Sequence, residues 1–267
     1  MKKLTEFEKG EMDFHNRHAE QYDSAHDLDS TRIALLHEKF LKHIYGLPKK
    51  SRVLEVGCGS GHDSVKIAKK GFQVIGCDIS EGLIGVAKRK AKENKVEKNT
   101  RFFVASTNRL PFRGNSIDAA LIVASLHHLE NPVVALKEIN RCLKPGGILV
   151  IGSEPNAWPY VFKKFKHSGL GKKIMGFFRK DYNAEEVSIG DEATTGFREK
   201  ELRKMFEDSN FRVKRLDFEY FFSGFLILLK LNLGEPADKG VVWFDSVLSS
   251  LPGIRKFGWY INAVLEK

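Results

Sequence analysis

From residue 51 onward the chain alternates two kinds of segment. Short runs of apolar, often β-branched residues give way to stretches whose apolar positions recur every three or four residues. SRVLEVG (51–57) has the first pattern and predicts a strand, and HDSVKIAKKG (62–71) has the second and predicts a helix closed by Gly71. QVIGCD (73–78) predicts the next strand, followed by a helix from Ser80 to about Glu93. RFFVA (101–105) and SIDAALIVAS (116–125) read as the third and fourth strands. VVALKEINRCLK (133–144) reads as a helix stopped by Pro145 and Gly146, and GILVIGS (147–153) as the fifth strand. Strands separated by helices imply βαβ units and a mostly parallel sheet buried on both faces.

Beyond Ser153 the regularity breaks. Residues 154–197 are aromatic and basic, then acidic, without a clear period. ELRKMFEDSNF (201–211) restores a helical pattern and leads into the strand RVKRLDFEYFF (212–222), and WYINAVLE (259–266) predicts a last strand. The N-terminal 50 residues are expected to be helical, most clearly in IALLHEKFLKHIYG (33–46). The expectation is one domain over 1–267. It has a helical cover (1–50), a ligand-binding core (51–153) and two insertions on the substrate side (154–197 and 223–256).

Composition narrows the class. A chain of 267 residues can bury a substantial core, and its 42% hydrophobic and 29% charged residues are ordinary for a soluble protein. The net charge of +10 is scattered over most of the length, so it bears on solubility more than on a dedicated acidic partner. Cys58, Cys77 and Cys142 are odd in number and lack CxxC spacing. That argues against a disulfide framework or a zinc site and for a reducing, cytoplasmic setting. MKKLTEFEKGEMDF has no apolar core of a secretory signal, and the longest apolar run, Tyr220 to Leu229, is far too short to span a membrane.

The densest signal is VLEVGCGSG (53–61), with glycines at 57, 59 and 61 directly after a strand. A chain turning there from strand to helix needs tight curvature and close backbone approach, and the helix N-terminus offers N–H groups to an oxygen-rich ligand. NAD, FAD or another nucleoside cofactor would all suit such a turn. The spacing is GxGxG rather than the dinucleotide GxGxxG, and no Lys-Ser/Thr follows to make a P-loop. Asp78, closing the second strand, can accept both hydroxyls of a ribose.

Taken in order, VLEVGCGSG, CDIS, LPF, SIDAALIVASLHHL and LKPGGILVI resemble the class I S-adenosylmethionine-dependent methyltransferases. The likeness is strongest to the group that includes the ubiquinone and menaquinone biosynthesis methyltransferases. It covers residues 50–153 and implies an α/β, Rossmann-like, seven-stranded sheet in order 3-2-1-4-5-7-6, with the last strand antiparallel. It also implies S-adenosyl-L-methionine as cofactor. Gly57, Cys58, Gly59 and Gly61 would then form the turn under the methionine part. Glu55 would help to orient the loop and the cofactor amino group, and Asp78 would hold the ribose. Ile79 and Leu83 would pack on the adenine, Ala124 would line the site, and Tyr22 would close over it. The family often carries an Asp-Ala pair four residues before Leu-Pro-Phe, the Asp binding the adenine amino group. Here Ser106-Thr107 stands in that place, so a hydroxyl replaces a charged acceptor.

Methyl transfer from a sulfonium needs positioning above all, and a base only if the acceptor must lose a proton. His127 and His128 follow the fourth strand on the side where the methyl should point. One ring is expected to pack against the cofactor and the other to cap the following turn, and His128 is the candidate if a base is used. Trp158 and Tyr160 are expected near the cofactor mouth. Lys163 to Lys180, basic and interspersed with phenylalanines, suits a peripheral membrane contact, a nucleic-acid patch or a lid. The two apolar additions favour a small hydrophobic or aromatic acceptor, such as a lipid or quinone precursor. A tRNA or rRNA methyltransferase is the rival reading. A cofactor-binding protein that has lost the reaction is the third.

Overall fold

The computed structural model describes residues 4–160, 187–229, 231 and 233–267. The basic run from Lys163 to Lys180 lies outside the described residues. Seven strands make one sheet in the order β3-β2-β1-β4-β5-β7-β6. They are β1 (Arg52–Val56), β2 (Gln73–Asp78), β3 (Thr100–Val104), β4 (Ile117–Val123), β5 (Leu143–Pro155), β6 (Arg212–Glu219) and β7 (Tyr260–Glu266). β1 to β5 pair in parallel, and β7 runs antiparallel between β5 and β6.

Alternate strand residues feed two cores, as the pleat requires. Leu54 and Val56 of β1 face a cluster completed by Leu136 and Ile139 of α6 (Pro132–Cys142) and by Leu202 and Phe206 of the helix Glu199–Asp208. Val53 faces the opposite cluster, with Phe40 and Ile44 of α3 (Thr31–Tyr45), Ile67 of α4 (His62–Lys69) and Ile84 of α5 (Glu81–Glu93). The sheet is therefore sandwiched between helices, and its ligand crevice opens beyond the carboxyl ends of β1, β2 and β4, at the switch point.

Several boundaries move for local reasons. Ser80 is the cap of α5 rather than its first residue, its hydroxyl accepting the Leu83 N–H at 3.1 Å. α6 ends at Cys142, before Leu143 and Lys144, because Pro145 disfavours helical geometry in the residue before it. The chain then enters β5 at once, which makes that strand 13 residues long. β6 stops at Glu219, short of the predicted Phe222, where Tyr220 turns into the left-handed region at φ 65°.

The segment after β6 is helical, Phe222–Leu228 and Glu235–Ser250. Asp245 accepts the N–H groups of Phe222 (2.8 Å) and Ser223 (3.0 Å), capping the first helix from the second. Arg32 of α3 donates to Asp238 from Nε at 2.8 Å and from Nη2 at 2.6 Å, and Nη2 also donates to the Leu231 carbonyl at 2.7 Å. Both bonds converge on Asp238 Oδ1, and this almost fully buried pair pins the insertion to α3.

Candidate active site

The crevice is a cleft of about 750 Å³, including its open mouth, roofed by the N-terminal helix α1 (Glu6–Arg17). Gly57, Asp78 and Tyr22 line its middle. Ser106 and Thr107 line it beyond β3, Ile79 and Leu83 beyond β2, and Ala124 and His128 beyond β4, on the other side of β1 in the sheet. Glu55, Cys58, Gly59 and Gly61 are brought to the same loop but stand behind the lining.

The glycines serve close approach. A Cβ on Gly57 would sit 1.9 Å from Ser125 Oγ, and one on Gly61 would sit 2.9 Å from the Ala87 Cβ. Gly59 would carry its Cβ 3.2 Å from the Tyr22 ring, so Tyr22 lies directly on the turn. All three glycines have φ between 51° and 73°, which side chains resist. The loop amides, by contrast, are used internally. Gly57 N–H (2.8 Å) and Cys58 N–H (3.0 Å) donate to the Cys77 carbonyl, and Gly61 N–H donates to the Cys58 carbonyl at 2.8 Å.

Asp78 joins the turn to β2. One carboxylate oxygen accepts the Gly59 N–H at 2.8 Å and the other the Ser80 N–H at 2.9 Å. A carboxylate has further lone pairs, and this one lies on the cleft wall, where a vicinal diol would find it. Glu55 bonds the Ser64 hydroxyl at the start of α4. Burial, and then the charge of nearby Asp63, pushes Glu55 well above the ordinary carboxylate range. Asp63 itself is kept at about 2: burial opposes ionisation, but His37 at 3.0 Å wins.

The opposite end is built around two histidines. Glu154, nearly inaccessible at the end of β5, accepts the N–H groups of Ser125 (2.8 Å), Leu126 (2.7 Å) and His127 (3.2 Å), and His127 Nδ1 lies 2.9 Å away. Burial would lower the His127 pKa, but its bonds to Asp191 and Glu154 raise it to about 9. His127 is therefore a cationic clamp on the loop after β4. His128 instead faces the cleft, its Nδ1 2.8 Å from Glu11 Oε2 of α1. Burial alone would raise the Glu11 pKa. Contacts from His128 and His15 and the Gly190 N–H at 2.7 Å hold it far below the usual carboxylate range. Glu11, His15 and His128 bring ligating atoms within 4.8 Å of one another, as do His127, His128 and Asp191. Their direct mutual contacts account for the clustering.

Trp158 is anchored through its indole. Its indole N–H donates to the Gly258 carbonyl at 2.8 Å and its ring packs against Phe257 and Trp259. Among the described residues, neither Trp158 nor Tyr160 belongs to the cleft lining. Glu8, Glu11 and His15, which do, were missed in the sequence. Their spacing of three and four residues on one helix was the available signal.

A doubly wound sheet with a glycine turn at β1 and an acid closing β2 defines a Rossmann-like binder of a nucleoside cofactor. Residues 54–151 match the family described as "Methyltransferase domain". The demethylmenaquinone methyltransferase of Staphylococcus aureus is 30% identical over 199 residues, covering 72% of this chain and 81% of that one. Among solved structures, the geranyl diphosphate C-methyltransferase of Streptomyces coelicolor aligns with a TM-score of 0.61 at 14% identity, over 98% of this chain and 97% of the other. A SAM-dependent methyltransferase of Aquifex aeolicus aligns at 0.56 and 18% identity, over 91% and 96%. The chain belongs to the class I S-adenosylmethionine-dependent methyltransferases, and S-adenosylmethionine is its methyl donor. The donor set fits that molecule: a carboxylate for a diol, apolar side chains for a base, and a close-approach turn between them.

Proposed function

We propose that the chain methylates a small apolar or aromatic acceptor that loses a proton as it reacts, with His128 as the base. The observation that carries this reading is the Glu11–His128 contact at 2.8 Å on the cleft wall. An ionised carboxylate at Nδ1 fixes the ring proton there and leaves Nε2 as the acceptor. Nε2 lies 3.9 Å from Asp191 Oδ1, beyond hydrogen-bond distance. S-adenosylmethionine supplies an electrophilic methyl group on a sulfonium. The chain's own work is to orient the acceptor, exclude water beneath α1 and take the proton at His128 Nε2.

An apolar acceptor is supported by the insertion after β6. It exposes Phe222, Phe225, Trp243, Phe244 and Phe257, Trp243 to 68% and Phe257 to 56%. Such a surface suits a peripheral lipid contact from which a hydrophobic acceptor is drawn. Among the described residues no helix is long and apolar enough to cross a membrane. The S. aureus relative, named for demethylmenaquinone, suggests a reduced demethylmenaquinone as the first probe.

His128→Gln should lower turnover of that hydroquinone by about a hundredfold, within the range for losing a positioned base, with S-adenosylhomocysteine affinity changed less than about threefold. Unchanged turnover would remove His128 from the reaction. Methylation of RNA in place of the hydroquinone would replace the proposed acceptor class.

A further inference from the structure

The cleft end lined by Ile79 and Leu83 has an acid that neither β3 nor its loop provides. Glu8 of α1 reaches across it, and its Oε1 accepts the Ser106 hydroxyl at 2.6 Å and the Asn108 side-chain amide at 3.0 Å. Its Oε2 accepts the Thr5 N–H at 3.0 Å, one half of a capping box that starts α1. Glu8, Ser106 and Asn108 all face the cleft. A carboxylate offers about four acceptor positions, and three are used here. Glu8 is also held in place. Asn16, at the other end of α1, accepts the Gly82 N–H at 2.9 Å and the Ser80 hydroxyl at 2.8 Å. Thr5 donates to Glu130 at 2.7 Å.

The chemistry follows from the order of groups along the cleft. A ribose at Asp78 places its base against Ile79 and Leu83, with an edge toward Ser106. In adenine that edge carries an exocyclic amino group, a pure donor in need of acceptors. We infer that Glu8, presented by the N-terminal helix, is the residue that recognises the 6-amino group of the cofactor's adenine. It supplies from α1 the charge that Ser106 lacks. Ser106 and Asn108 position Glu8 by donating to it. The helix that roofs the site is thereby a specificity element, and base recognition is coupled to its closure.

This inference rests on the cofactor lying in this cleft with its base at the Ser106 end. The test titrates S-adenosylhomocysteine and its 6-deamino analogue, with purine in place of adenine, into the wild type and Glu8→Gln. Glutamine keeps the capping-box partner but removes the charge. The wild type should prefer the adenine ligand by about tenfold or more, as expected of a charge-assisted hydrogen bond. In Glu8→Gln that preference should fall several-fold, through weaker adenine binding with the purine ligand unaffected. Ser106→Ala should move it the same way by a smaller factor.

Equal losses on both ligands would show that α1 merely covers the site, and an unchanged preference would show that another group reads the amine. Either result overturns the inference while leaving the cofactor site standing. A folded wild type that binds neither ligand would overturn both.

Discussion

His127 sits between two carboxylates, and its protonation should set the pH dependence of stability. Glu154 faces Nδ1 at 2.9 Å, Asp191 faces Nε2 at 3.5 Å, and the His128 ring packs alongside at 4.1 Å between centroids. The ordinary pKa of 6.5 rises to about 9 in the fold, despite the opposing effect of burial. At about 1.4 kcal/mol per unit, that rise corresponds to about 3 kcal/mol of stability. Because Asp191 is 47% exposed and its share is screened by solvent, about 2 kcal/mol is the expected size. The sign is set by a folded pKa above the unfolded one. The contribution is fully present below pH 6.5 and is lost as pH rises through about 9. Thermal unfolding of the wild type and His127→Gln between pH 6 and pH 10 reads this directly. The wild type should melt about 4–8 °C above the variant at the acid end, and the gap should close toward pH 10. A gap that stays constant across the range would refute the cationic clamp.

The remaining predictions concern the scaffold. Asp238→Ala leaves the Arg32 guanidinium buried without its carboxylate and should cost about 3–5 kcal/mol in urea unfolding; the double variant Arg32→Met, Asp238→Leu should recover most of it. Recovery failing in a well-packed double variant would mean that the pair, and not burial, supplies the stability. Gly57→Ala forces a Cβ toward Ser125 Oγ from a backbone at φ 67°, and should cost at least about 1–2 kcal/mol while abolishing S-adenosylhomocysteine binding by calorimetry. Wild-type binding in that variant would show that the turn tolerates a side chain.

The strands of the cofactor half were legible because their causes are local. β2 begins and ends where QVIGCD does, since apolar run and flanking polar residues fix it without outside help. The glycine turn was legible for the same reason. The end of β6 was not, because FEYFF is as good a strand as any. It yields to a turn at Tyr220 because Asp245, in a helix of the insertion, captures the N–H groups of Phe222 and Ser223 just beyond it. The partner of the Trp158 indole was not legible either, because nothing near it in sequence announces Gly258.

The sequence by itself determined the repeating βαβ order, the tight turn after β1, the acid closing β2 and the hydroxyl standing at position 106. Each follows from residue types acting on their immediate neighbours. Only the tertiary structure decided what completes the site. Glu8 and Ser106 are 98 positions apart, Glu11 and His128 117, and Arg32 and Asp238 206. On α1 alone, Glu8, Glu11 and His15 read as an ordinary solvated face. They become cleft- and histidine-directed groups when packing lays that helix over the carboxyl ends of the strands, where the buried Glu11 carboxylate must take partners.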